Sequence, residues 1–231
     1  MFFDFTYILI VALPSMIISG LAQAYVRSAY TKWQRTANSW NMTGTEIGMR
    51  IVQTSGLRDV RFEGVGGQMS DHYDPSGHIV RMSQDVATQP SVASMAIVAH
   101  ELGHAQQHEE KSPLIGVRQF LVPAMRFSPM VSYGLIMLGI VFNMTSMLWL
   151  GIIFFGITVV FMLITLPVEF DASRRGLKLL EQAGLMSNGG DAGGARQMLT
   201  AAAMTYVAAF ISSLLTLVYY LMLASRTRSN R

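Results

Sequence analysis

No cysteine occurs in the 231 residues. Disulfides and thiolate metal sites are therefore excluded, and redox chemistry gives no clue to the compartment. Charge is scarce as well. Asp, Glu, Lys and Arg make up 13% of the chain against 51% hydrophobic residues, where globular chains carry about 25% charge. The net charge of +3 comes without a dense basic cluster. A nucleic-acid surface is thus excluded, and the arginines are expected at a membrane surface. The start, Met1-Phe2-Phe3-Asp4, lacks a basic n-region, and no clean cleavage site follows. The first apolar run is accordingly expected to stay as a membrane helix rather than leave as a signal peptide. There is no internal repeat of solenoid length. The Gly-rich stretch Ser187 to Gly194 lacks the lysine and spacing of a phosphate-binding loop, so it reads as a linker.

Long apolar runs dominate what remains. They cover about Phe5 to Tyr25, Phe127 to Asn143, Ser146 to Val168 and Leu199 to Leu223. Each is long enough to cross or nearly cross a bilayer, with Pro14 a tolerated kink in the first. Only Asn143 to Ser146 separates the middle two, which predicts a membrane hairpin with Arg126 at its near end. Trp33 and Trp40 read as interface anchors beside Arg27, Lys32 and Arg35. After Pro167 a polar helix with Arg174, Arg175 and Lys178 is expected, ending near Gly184.

Between the first two runs lies a polar segment. Thr43-Gly44-Thr45-Glu46 is a capping-box pattern that predicts a helix from Gly44 to Ser55, stopped by Gly56. Asp59 to Glu63 alternates like a short strand, and Asp74-Pro75-Ser76-Gly77 is a β-turn between two extended pieces. The second piece, His78 to Met82, has two readings: an edge strand that pairs with a peptide substrate, or part of a hairpin that covers the following helix.

The fold class expected is mainly α, with about four membrane helices and a small α+β zincin-like catalytic segment. The expected divisions are residues 1–26, a first membrane helix; 27–120, the zincin-like segment; 121–168, the membrane hairpin; 169–198, the polar helix and linker; and 199–231, the last membrane helix and a tail with Arg226, Arg228 and Arg231.

The organising motif is His100-Glu101-Leu102-Gly103-His104, an H-E-x-x-H. Residues four apart share one face of an α-helix. Two imidazoles so placed can bind one Zn²⁺, while Glu101 faces a metal-bound water as general base. Pro90-Ser91 supplies the helix start, with Ser91 as N-cap, and only Gly103 interrupts good helix formers up to Gln107. Gly103 removes bulk beside the site.

A catalytic zinc takes three protein ligands and keeps one position for water. His108 is about 12 Å along the helix axis from His100, too far to share one ion. A metzincin would need glycine at 107 and histidine at 110, where this chain has Gln107 and Glu110. His72 and His78 remain open. Glu169 is the better candidate, because a carboxylate at a membrane boundary is costly without a partner. Two spans also separate it from His104, so the chain has returned to the same face. The competing reading is a first-turn glutamate favoured by the helix dipole.

The sequence resembles the bacterial membrane-bound neutral zinc metallopeptidase family of the YugP type. The blocks that carry the resemblance are Ser70-Asp71-His72-Tyr73-Asp74-Pro75, Val98 to His108, Thr165 to Ser173 and Ala201 to Ala209. More distantly it is similar to gluzincins, whose membrane members share an E-x-x-A-D block. Glu169 matches the ligand of that block. The acid that orients a ligand histidine there falls on Ser173 in this chain, so Ser173, Asp171 or another carboxylate takes that part. The resemblance implies a zinc endopeptidase with one Zn²⁺ per chain, held by His100, His104 and Glu169, with Glu101 as base. His72 and Tyr73 are candidates for oxyanion stabilisation and Asp71 for support of a ligand. The competing reading for this block is a turn built around Asp71 and Asp74.

The expected partners are the lipid bilayer and a peptide or membrane-protein substrate, with no nucleic acid. An oligomer or a regulatory membrane partner stays open, as does a non-hydrolytic zinc-binding scaffold. The expected location is the bacterial inner membrane. Nine Lys/Arg between Tyr25 and Phe120 and four between Val168 and Leu199 put the catalytic face in the cytoplasm. A fourth span would then leave the basic tail outside.

Overall fold

The computed structural model describes residues 5–186 and 189–229. Helix α1 (Phe5–Gln34) contains a π-helical stretch, Ile8–Ala12, just ahead of Pro14. Proline returns no N–H to the carbonyl four residues back, and its ring crowds that carbonyl. Widening the turn relieves both, so the expected kink takes the form of a π-bulge.

Helix α2 (Gly44–Ser55) starts and stops where its sequence says. Thr43 Oγ1 accepts from the Glu46 N–H, the Glu46 carboxylate accepts from the Thr43 N–H, and Gly56 takes φ 77°. Strands β1 (Arg61–Val65), β2 (His72–Asp74) and β3 (Ile79–Ser83) follow. The predicted turn joins β2 to β3, with the Ser76 N–H donating to Asp74 Oδ1 at 2.9 Å.

The sheet order is β1-β3-β2, parallel for β1 with β3 and antiparallel for β2 with β3. This corrects the edge-strand reading of the piece after the turn. Strand β3 has a neighbour on each side and no free edge for a substrate. Its side chains explain the position: Ile79, Val80 and Met82 are buried, whereas β1 and β2 contribute no buried residue.

After α3 (Gln84–Thr88) comes α4 (Val92–Glu109), capped as expected by Ser91, whose side chain accepts from the Ser94 N–H. Three long helices complete the chain: α5 (Pro113–Val141), α6 (Thr145–Gln182) and α7 (Gly189–Ser229). Together with α1 these are, among the described residues, the four helices long and apolar enough to cross a membrane.

Three further expectations change. Helix α6 runs unbroken through Pro167, so the third apolar run and the polar helix are one element. A proline costs a single backbone hydrogen bond here, which a long membrane helix tolerates. The Gly-rich stretch is the opening of α7 from Gly189 onward, not a linker. Asp191 is buried in its first turn and accepts from the Ser39 N–H at 2.9 Å. At Gly194 a Cβ would come within 2.6 Å of the Trp33 ring. Trp33 itself, expected as an interface anchor, packs on the buried core and donates Nε1–H to Gln197 Oε1. The expected N-terminal features at Met1 to Asp4, the linker residues Ser187 and Asn188, the Arg228 side chain and Arg231 lie outside the described residues.

The chain divides into two compact units. One comprises Met1–Gln23, Gly116–Pro167 and Thr205–Arg231. Its buried cluster is small, Ile136, Leu148, Ile152 and Ala224. The hairpin is pinned by Ser132 Oγ donating to Gly151 O at 2.8 Å. Phe120, Phe127 and Met130 stand mostly exposed, an apolar surface that lipid covers. The other unit comprises Ala24–Ile115 and Val168–Met204. Its core takes Ile47, Ile51, Val80, Met95, Leu102, Leu179 and Leu180 and encloses α4, which is buried nearly all round.

Candidate metal centre

The centre lies within the second unit, where α6 crosses α4 with the two backbones almost in contact. A Cβ on Gly103 would lie 2.3 Å from the Ala172 carbonyl oxygen. A Cβ on Gly176 would lie 2.7 Å from the Ala99 carbonyl oxygen. Only glycine permits this approach. The bulk that Gly103 removes is therefore room for the backbone of α6. Ala99 and Gly103 are four apart, as are Ala172 and Gly176, a small-x-x-x-small pattern on both helices. This contact fixes the register of the crossing. His100 and His104 follow the small residues of α4 by one position, and Glu169 and Ser173 precede those of α6 by three. The crossing therefore brings the two pairs face to face.

Glu169 Oε2 lies 3.3 Å from His100 Nε2 and 3.6 Å from His104 Nε2. One ligand atom from each of the three residues falls within 4.8 Å of the others, and no other such group of three occurs among the described residues. Glu169 and His104 are buried and His100 half-buried. The second imidazole nitrogens face away from Glu169. His100 Nδ1 meets Ser173 Oγ at 3.1 Å, and His104 Nδ1 meets Gln107 Oε1 at 3.0 Å. Two imidazole nitrogens and a carboxylate oxygen converging on one point are the donor set of a His₂Glu catalytic zinc, so the residues present fit that ion. Glu101 is buried on the same helix.

Ser173, at the position of the acid in the E-x-x-A-D block of the distantly similar gluzincins, thus sits on His100. Asp171 does not reach a histidine. It accepts from Gln107 Nε2 at 2.9 Å and from Arg175 at 2.6 Å, and is also paired with Arg174. Asp71 accepts from the Ser83 N–H at 2.7 Å and from its hydroxyl. Burial pushes the Asp71 carboxyl above its ordinary pKa, and the Ser83 bonds pull it back. His72 Nδ1 donates to Ser70 O at 2.8 Å.

Tyr73 belongs to a second histidine cluster. Its hydroxyl lies 2.6 Å from His78 Nδ1 and 2.9 Å from His108 Nδ1. Burial, with Glu109 and Asp74 nearby, pushes the phenol up to about 12. His78 is fixed further by Arg58 O at 2.8 Å and Glu109 at 3.1 Å. Of the third-ligand alternatives, His72 and His78 are engaged in these other contacts, and the crossing brings Glu169 to the two histidines.

The sequence reading missed Gln107 as a partner of His104, and it missed the paired small residues. The first leaves only a weak signal, a glutamine three residues past a histidine on one helix. The second is visible as A-x-x-x-G on two helices, a pattern that marks close helix crossings.

A membrane-associated zinc peptidase is the class that the long apolar helices and this donor set define. The chain belongs to the family described as "Putative neutral zinc metallopeptidase", whose model matches residues 7–225. It is similar to the "Putative membrane protease YugP" of Bacillus subtilis (strain 168), 37% identical over 206 residues, which are 89% of this chain and 91% of that protein. No solved structure matches.

Proposed function

We propose that this protein is an endopeptidase that hydrolyses peptide bonds at the His100/His104/Glu169 centre. The observation that carries the reading is the convergence of these three side chains in one buried spot, in a chain whose family is that of a zinc peptidase. His100 and His104 through Nε2, and Glu169 through its carboxylate, would hold one Zn²⁺. Such an ion would supply Lewis acidity for the scissile carbonyl and acidify the attacking water.

The chain's own groups do the rest. Glu101 accepts a proton from the water as its oxygen adds to the carbonyl carbon. It then delivers that proton to the amine nitrogen as the C–N bond breaks. The products are a carboxylic acid and a free amine. Ser173 orients His100 through Nδ1. Glu169 is buried, so its charge reaches the ion with little screening by water. The substrate is a peptide or a membrane protein. The site sits in the inner membrane of a bacterial cell and faces the cytoplasm, on the positive-inside argument.

Glu101→Gln tests the reading. The variant should bind zinc like the parent and lose hydrolysis of a peptide library by about 10²- to 10⁴-fold, the usual share of a general base. Zinc content and cleavage by mass spectrometry in detergent read both. Full activity in this variant removes Glu101 from the mechanism.

A further inference from the structure

Gln107 makes contacts that the proposed mechanism does not use. It is 1% exposed, the most buried polar side chain near the centre. Its amide nitrogen has two hydrogens and two acceptors, Val168 O at 2.9 Å and Asp171 Oδ2 at 2.9 Å. Both are acceptors only, so the amide cannot turn over without facing oxygen to oxygen. Asp171 is itself held as a carboxylate by Arg174 and Arg175, and Arg175 reaches on to Glu110 at 2.6 Å. Gln107 Oε1 is therefore fixed towards His104 Nδ1 at 3.0 Å, and an oxygen there requires Nδ1 to carry its hydrogen. With Nδ1 committed to Gln107, His104 keeps Nε2 for the side of Glu169 Oε2, 3.6 Å away. The partner of His100 is different in kind. The Ser173 hydroxyl gives or takes a hydrogen, so it accommodates either tautomer of His100.

We infer that Gln107 is a positioning residue: it locks His104 in the Nδ1–H tautomer, so that His104 Nε2 is ready to bind the metal before the metal arrives. The Asp171–Arg175–Glu110 chain serves to keep the Gln107 amide from turning. The inference rests on the proposed zinc site for its purpose but not for its first readout. A partner on the far nitrogen of a ligand histidine fixes ring and tautomer, and its loss typically costs about 10- to 100-fold in metal affinity.

The test uses the full chain in detergent, labelled with ¹⁵N histidine. Nitrogen shifts are recorded on chelator-treated protein at about pH 8, above the ordinary imidazole pKa. A His104→Asn variant identifies the His104 signals. The expected result is an Nδ1–H pattern for His104 in the metal-free wild type. Gln107→Met, close in shape and without hydrogen bonds, should mix the tautomers and weaken zinc about 10- to 100-fold in a competition titration. An Nε2–H pattern in the wild type overturns the inference, as does unchanged zinc affinity in Gln107→Met. Should Gln107→Met fail to fold, the wild-type spectrum decides alone. A wild type that shows Nδ1–H but takes up no zinc supports the lock on His104 and overturns the proposed function instead.

Discussion

Helix α4 contributes histidines to two clusters that differ in chemistry. His100 and His104 turn their Nε2 atoms towards the buried Glu169 carboxylate, with Ser173 and Gln107 on the opposite nitrogens. One turn further on, His108 meets His78 across the Tyr73 hydroxyl, and His78 is also held by Arg58 O and Glu109. In the second cluster a phenol hydroxyl stands between the two facing imidazole nitrogens, and it can donate to one and accept from the other. In the first cluster a carboxylate faces both, a donor set that one cation could join. Histidine count and spacing therefore say less about metal binding than the group facing each ring.

The sharpest way to break this comparison is to remove one residue from each cluster and measure zinc. Glu169→Ala should weaken binding by more than the roughly 100-fold that loss of a supporting partner costs. His108→Ala should leave affinity unchanged. Equal losses in the two variants would mean that both clusters hold metal.

The crossing that assembles the first cluster is the next target. Gly103→Ala puts a Cβ against the Ala172 carbonyl, and overpacking of this kind costs about 1–3 kcal/mol. Gly176→Ala, whose Cβ would lie 2.7 Å from the Ala99 carbonyl oxygen against 2.3 Å at Gly103, should cost less. Thermal unfolding in detergent reads the order, and zinc affinity should fall with Gly103→Ala because Glu169 is pushed away from the histidines.

Tyr73→Phe should have the smallest effect, about 1 kcal/mol or somewhat more for hydrogen bonds lost between His78 and His108. Its melting temperature should drop while zinc affinity holds. A large loss of zinc would instead tie the second cluster to the first.

Local pattern made much of the molecule legible. The capping box at Thr43 and Glu46, the Asp74 turn and the Ser91 cap are contacts within a few residues, so the sequence displays them directly. Errors arose where long-range packing overrode local habit. Glycines near 189–194 read as a linker, yet Gly194 gives room to Trp33 and Asp191 anchors on Ser39. Pro167 read as a boundary, yet α6 continues past it. Strand β3 read as an edge from its place in the chain, yet its buried side chains put it in the middle of the sheet.

The sequence by itself determined the four apolar helices and the placing of His100, Glu101 and His104 on one helix. Composition and the 3.6-residue repeat act over one element and need no partner. Only the tertiary structure decided that Glu169 completes the group, that Ser173 and Gln107 take the far nitrogens, and that Tyr73, His78 and His108 form a separate cluster. The Glu169 and Ser173 pairings depend on two helices meeting at Gly103 and Gly176, a contact set by the packing of the whole unit and not by the local chain.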